Sequence, residues 1–325
     1  MRNLLVSLVL ILFLFLIQQN TRAMEFQPTK KQIEIIVPYP PGGATDKIAR
    51  IVSEIFIEHG WKSTVLNQPG GETTIASNNV ASAKPDGHTL YIGGNGFLDA
   101  NIVFDAPGRL YNENSFDSVV PLGHGSLMLA VSNASTVKTY EEFKNYVKAN
   151  PDKFKIGFWN FYTAHLFYEW ARLEGLPRPT IITYKGSAPQ ITDVLGGHIE
   201  FIFDSFTATN KHYEADKLRI IASLDSKNLE RVQNIKGDKK IINISKDHPT
   251  LEISTWYGIF SPAKTDPAVK KQINDVVNTG IKKQKNIDRL AELGVFGAGG
   301  SVQELDKTQK DLLLFFKNSV EHIKQ

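Results

Sequence analysis

The chain has 325 residues, with 37 Lys and Arg against 34 Asp and Glu, a formal net charge of +3 and no cysteine. Such a balance argues against nucleic acid as a partner. The missing cysteines exclude disulfides and a lipoprotein anchor behind an N-terminal apolar run, and the length suffices for a large core, usually divided into two domains.

Met1-Arg2-Asn3 gives a positive start, and Leu4–Ile17 is an uncharged, Leu-rich run of 14 residues. That is too short for a comfortable membrane span and matches the apolar core of a secretory signal. Thr21-Arg22-Ala23 offers a small-residue cleavage site. Residues 1–23 therefore read as a signal peptide and the mature chain as an exported, periplasmic protein, with an uncleaved anchor as the alternative.

Beyond the leader, strand-like and helix-like segments alternate. Ile33–Val37 is an apolar strand. Asp46–His59 is a helix with Ile48, Ile51, Ile55 and Phe56 on one face, stopped at Gly60. Ser63–Leu66 and Thr89–Ile92 read as strands around a helix at Thr74–Ala83. In the middle, strands at Leu127–Ser132, Lys155–Phe158, Thr180–Thr183 and Ile199–Phe203 alternate with helices. One of these opens on the capping box Thr139-Tyr140-Glu141-Glu142. Asp225–Pro249 is polar and reads as an exposed excursion. Trp256–Phe260 is a last strand, and three helices follow, the final one opened by the capping box Ser301-Val302-Gln303-Glu304. The alternation predicts an α/β fold of βαβ units with a mostly parallel sheet in each of two lobes.

Ligands of open α/β sheets bind beyond the carboxyl ends of the strands, where four loops stand out. Tyr39-Pro40-Pro41-Gly42-Gly43-Ala44-Thr45-Asp46 joins a strand to a helix; its glycines can aim N–H groups outward, and the helix start adds positive charge. Thr45 is a candidate cap. An ordinary turn is the plainer reading. Gly93-Gly94-Asn95-Gly96 again brings backbone close to something, but lacks the third glycine of a dinucleotide fingerprint. Trp159-Asn160-Phe161-Tyr162-Thr163-Ala164-His165 places aromatics before a helix, as pocket lining or as core. Tyr184-Lys185-Gly186-Ser187-Ala188 combines a cation, a glycine and a hydroxyl at a helix start, with Ser187 as its cap. Asp204, at a strand end, can accept from a ligand or cap a helix. No metal-ligand spacing, P-loop or Gly-x-Ser-x-Gly motif occurs, so neither a metal nor a cofactor is expected.

The segments Val37–Arg50, Asn67-Gln-Pro-Gly-Gly71, Ala83–Leu90, Tyr184–Ala188, Asp193-Val-Leu-Gly-Gly197 and Ser254-Thr-Trp-Tyr-Gly258 resemble the solute receptors of tripartite tricarboxylate transporters, the TctC-like or Bug family. The likeness runs from about Ile33 to Val320, and its strength lies in the order and spacing of the motifs. It implies a two-lobed extracytoplasmic binding protein of type II-like architecture, with residues 24–128 plus 257–325 as one lobe and 129–256 as the other. It further implies a monomer that captures a small organic acid in the interdomain cleft and delivers it to membrane components of a tripartite transporter. The implied ligand residues are Tyr39, Gly42, Gly43, Ala44, Thr45, Asp46 and Asn95 on one side. Trp159, Asn160, Phe161, Thr163, His165, Lys185, Gly186, Ser187 and Asp204 come from the other. Trp159 and Phe161 stand where the family usually has glycines, which points to an acid with an aromatic or otherwise apolar body, or to rings that merely fill the pocket. Two other readings stay open: a ligand-sensing receptor for a membrane sensor kinase, and a secreted hydrolase or lyase using His165 and Asp204.

Overall fold

The computed structural model describes residues 26–94, 100–103, 105–158, 161–237, 240–251 and 254–319. β1 (Ile33–Val37) is buried at every position except Glu34, as its run of isoleucine and valine requires. It leads into α1 (Ala44–Glu58), which buries Ile48, Ile51, Val52, Ile55 and Phe56 and is followed by Gly60 at φ +86°. β2 (Ser63–Asn67), α2 (Thr74–Ala81) and β3 (Thr89–Gly94) continue the alternation, and β1 pairs parallel with both β2 and β3. A short helix, α3 (Ala100–Val103), follows.

β4 (Phe116–Ser132), at 17 residues, is the longest strand among the described residues. Sequence patterning predicts only its second part, from Leu127. The first part carries Pro121 and Gly123, which obscure the strand period, and Gly123 has φ +113°. Pro121 is accommodated opposite a register shift, where a strand tolerates a residue that cannot donate.

The second half consists of α4 (Tyr140–Ala149), β5 (Lys155–Phe158), α5 (Phe161–Leu173), β6 (Thr180–Thr183), α6 (Ser187–Leu195), β7 (Phe201–Ser205), α7 (Phe206–Glu214), β8 (Leu218–Ser223), α8 (Ser226–Lys236) and β9 (Ile242–Asn243). The polar stretch from Asp225 to Pro249 is thus folded, in contrast to the expected excursion. Val232, Ile241 and Ile244 are buried, sparse anchors that the surrounding lysines conceal in the composition. β10 (Ser254–Pro262), α9 (Pro267–Ile281), α10 (Gln284–Glu292) and α11 (Val302–Ser319) complete the chain.

The sheet runs β2-β1-β3-β10-β4-β7-β5-β6, with β8 also on β4 and β9 on β8. The outer strands pair in parallel, as the βαβ pattern predicts. The centre is antiparallel, because β10 returns against both β3 and β4, and β4 runs against β7 and β8. The fold is therefore an α/β architecture on a mixed sheet flanked by helices. Separate cores flank its two halves, one built on β1, α1 and α9, another on α4, α5 and β7. α11 touches both halves: Leu305 packs with Trp256 and Phe260, whereas Phe316 packs with Leu166 and Trp170. No helix among the described residues is long and apolar enough to cross a membrane.

Candidate ligand-binding site

The loop after β1 is organised by a buried carboxylate. Asp46 Oδ2 accepts from Gly42 N at 2.9 Å and Arg50 Nε at 3.0 Å. Its Oδ1 accepts from Arg50 Nη2 and Asn67 Nδ2, each at 3.0 Å. Those four bonds use the acceptor capacity of the group. Burial pushes the Asp46 carboxyl up, but Arg50, the Gly42 N–H and Asn67 outweigh it and hold the group below its ordinary value. Asp46 therefore acts on the loop, not on a ligand, which departs from its expected role. It pins Gly42 at φ +89°, a conformation that suits glycine. The N-cap of α1 is Gly43, and no side chain caps the helix. Thr45, the expected cap, is the second helical residue, so the first N–H groups of α1 remain open.

The loop after β6 repeats the device in another half of the sheet. The N-cap of α6 is Gly186, at φ +126°, again with no side-chain cap. Ser187, the expected cap, is the first helical residue. The helix is held from behind: Tyr184 Oη donates to Asp193 Oδ2 at 2.7 Å, and Gln190 Nε2 donates to the Gly157 carbonyl at 2.9 Å. The two loops face each other, since a Cβ built on Gly186 would stand 3.8 Å from Pro40 Cδ.

Between them lies a cavity of about 330 Å³. Tyr39, Gly42, Gly43, Ala44 and Thr45 line one side, and Thr163, Lys185, Gly186 and Ser187 another. The sequence thus anticipates nine of the lining residues. It does not anticipate Ser205, Thr255, Trp256 and Tyr257, which reach the cavity from the end of β7 and the start of β10. The Ser254–Gly258 motif carries a signal for three of them, although strand β10 looks like plain core on its own. Gly94 also lines the cavity, and a Cβ there would meet the Trp256 carbonyl, so the glycine permits the close approach of β3 and β10.

Three expected site residues do not line the cavity. Asp46 is engaged as described. His165 is buried against Phe315 and Phe316 of α11, with ring centroids 5.8 and 5.1 Å away, and burial lowers its pKa to about 4. Asp204 is fully buried, and its Oδ1 accepts from Ser205 N at 2.6 Å, fixing the β7–α7 junction. Asn95, Trp159 and Asn160 lie outside the described residues, as does the leader, and Phe161 opens α5.

Electrostatically the cavity favours an anion. Two uncapped helix starts open on it, and each carries partial positive charge. Lys185 is the one charged residue among the described lining residues, and it makes no ion pair among the described residues. Tyr39, Pro40, Pro189 and Trp256 add apolar wall.

The sequence profile of the family described as "Tripartite tricarboxylate transporter family receptor" matches residues 48–323. The chain belongs to this receptor family. A "UPF0065 protein in tcbD-tcbE intergenic region" from Pseudomonas sp. (strain P51) is 28% identical over 290 residues, covering 88% of this chain and 84% of that one. A solved structure described as a periplasmic transporter is similar at TM-score 0.82 and 27% identity, over 90% of this chain and 96% of that chain. MatC from Rhodopseudomonas palustris with bound malate shares the fold, with TM-score 0.80 at 21% identity over 89% and 99% of the two chains. Membership makes the protein a solute receptor rather than an enzyme, which closes the reading of His165 and Asp204 as a hydrolase or lyase pair.

Proposed function

We propose that this receptor works in the periplasm, where it captures a small organic carboxylate between its two lobes and presents it to the membrane components of a tripartite tricarboxylate-type transporter. One observation carries the reading: two glycine-capped helix starts, from opposite halves of the sheet, open on one cavity that holds a lysine and no carboxylate among its described lining residues. Helix-end charge contributes about 0.3–1 kcal/mol at an exposed end and up to ~2 when partly buried. Hydrogen bonds to a charged acceptor add roughly 1.5–3 kcal/mol each. Several of these, opposed by desolvation of the carboxylate, support binding near micromolar. MatC, which shares the fold, holds malate, and this agrees with an acid as the cargo. The aromatic and prolyl wall favours an acid with an apolar body, aromatic acids included.

Calorimetry against a panel of aliphatic and aromatic mono- and dicarboxylates tests the proposal. Saturable heat and a raised melting temperature with at least one acid are expected. A panel in which no acid binds contradicts it.

A further inference from the structure

Hydroxyl-bearing residues from both halves of the sheet line the cavity. Ser205 ends β7 and is the N-cap of α7, whose start no side chain caps. Thr207 lies one residue into that helix, and Thr255 and Tyr257 stand at the start of β10. Ser205, Thr255 and Tyr257 line the cavity. The hydroxyls of Thr207, Ser205 and Thr255 are grouped around that of Tyr257, and all four residues are at most 7% exposed. Yet Thr207 Oγ1 and Thr255 Oγ1 have no hydrogen bond of acceptable geometry among the described residues. A Cβ built on Gly125 would lie 2.7 Å from Thr255 Oγ1 and 3.5 Å from Thr207 Oγ1, so both oxygens approach the same point on β4.

A buried hydroxyl without a partner is costly, and valine of nearly the same shape would remove that cost. Two such hydroxyls beside a tyrosine hydroxyl, at the edge of a ligand cavity, make an incomplete polar network. A tyrosine hydroxyl both donates and accepts, and burial raises the pKa of this one above its already high ordinary value. The position is also separate from the two glycine loops that face a carboxylate.

Resting on the proposal that the cargo is a carboxylate, we infer that Tyr257, standing among the hydroxyls of Ser205, Thr207 and Thr255, reads a second oxygen of the ligand, a hydroxyl or carbonyl on the body of the acid. Tyr257 is the specificity-determining residue, and the unpaired Thr207 and Thr255 hydroxyls complete the network once the ligand oxygen is bound. The receptor therefore prefers oxygenated acids over their unsubstituted counterparts.

The test uses matched pairs: malate against succinate, 2-oxoglutarate against glutarate, and 4-hydroxybenzoate against benzoate. Titrations compare the wild type, Tyr257→Phe, and the double variant Thr207→Val with Thr255→Val. In every pair that binds, the oxygenated acid should bind about tenfold more tightly to the wild type. Tyr257→Phe should abolish that difference by weakening the oxygenated acid about tenfold, and should not lower the melting temperature. The double variant should reduce the preference while raising the melting temperature, an effect opposite to that of losing a structural bond. Equal binding within the pairs, or a preference retained in Tyr257→Phe, overturns the inference. So does a Tyr257→Phe variant that melts earlier and loses both members alike. Acids bound without preference contradict this inference alone, whereas a chain that binds none contradicts the receptor reading and takes this inference with it.

Discussion

The two loops that face the cavity do the same job by different means. The loop after β1 is held by charge: a buried carboxylate, 2% exposed, gathers the Gly42 N–H, Arg50 and Asn67. The loop after β6 is held by neutral donors, Tyr184 and Gln190, and leaves Lys185 at the cavity with no ion pair among the described residues. One side is therefore braced by an ion pair, whereas the other brings a lysine to the cavity wall.

The largest expected effect comes from breaking the charged brace. Asp46→Ala takes the acceptor from the Gly42 N–H and the counter-charge from Arg50, leaves Asn67 only the Tyr39 carbonyl, and should cost about 2–3 kcal/mol of stability. Carboxylate affinity should fall at least a hundredfold, because the α1 start is no longer aimed. Thermal melting and calorimetry check both. A variant that melts like the wild type and binds normally would remove the distinction between the loops.

Acid separates the two halves. Burial holds His165 at about 4 in the folded chain against 6.5 unfolded, so the unfolded chain takes the extra proton first as pH falls. Stability linked to His165 is whole above pH 6.5 and is lost as pH drops toward 4, up to ~3 kcal/mol. Asp46, held below its ordinary value, gives up its contribution only at lower pH still. Amide exchange on falling from neutral pH toward 4 should therefore loosen α5 before the β1–α1 loop. His165→Leu should flatten the slope of melting temperature over that range, and an unaltered slope would contradict the assignment.

The legible part of this molecule lies at its junctions. Glycines placed between an apolar strand and an amphipathic helix mark both receptor loops, and the capping boxes at Thr139 and Ser301 form as their spacing predicts: Glu142 N donates to Thr139 Oγ1 at 3.2 Å, and Glu304 N to Ser301 Oγ at 3.2 Å. The caps of α1 and α6 differ from the sequence expectation because Thr45 and Ser187 have the chemistry of caps, while Gly43 and Gly186, two and one residues earlier, occupy the cap positions. Asp46 offered a signal in its position three residues beyond Gly43, the place from which an acid reaches back to a loop N–H. Ser205 carries no local signal, and Thr255 is marked only by the Ser254–Gly258 motif. They reach the cavity because β10 returns antiparallel between β3 and β4, a long-range pairing that sequence period does not encode.

Lys185→Met should weaken a carboxylate about tenfold and leave the melting temperature of the free protein unchanged, and the loss should shrink in high salt as screening removes the wild-type advantage. Titrations at two ionic strengths check it. Gly43→Ala should alter folding least, since Gly43 has φ −73° and its new Cβ would lie no closer than 3.8 Å to the Pro40 carbonyl. Its methyl nevertheless enters the cavity beside the α1 start, so affinity should fall only a few-fold. Isothermal titration beside a melting curve separates these two effects.

The central claim is that amides from both loops close on a single anion. Recording amide ¹⁵N–¹H shifts of Gly43, Ala44, Gly186 and Ser187 through one carboxylate titration tests it directly. All four should move together and saturate at the same ligand concentration. Movement confined to the β1–α1 pair, or to the β6–α6 pair, would contradict a shared anion site.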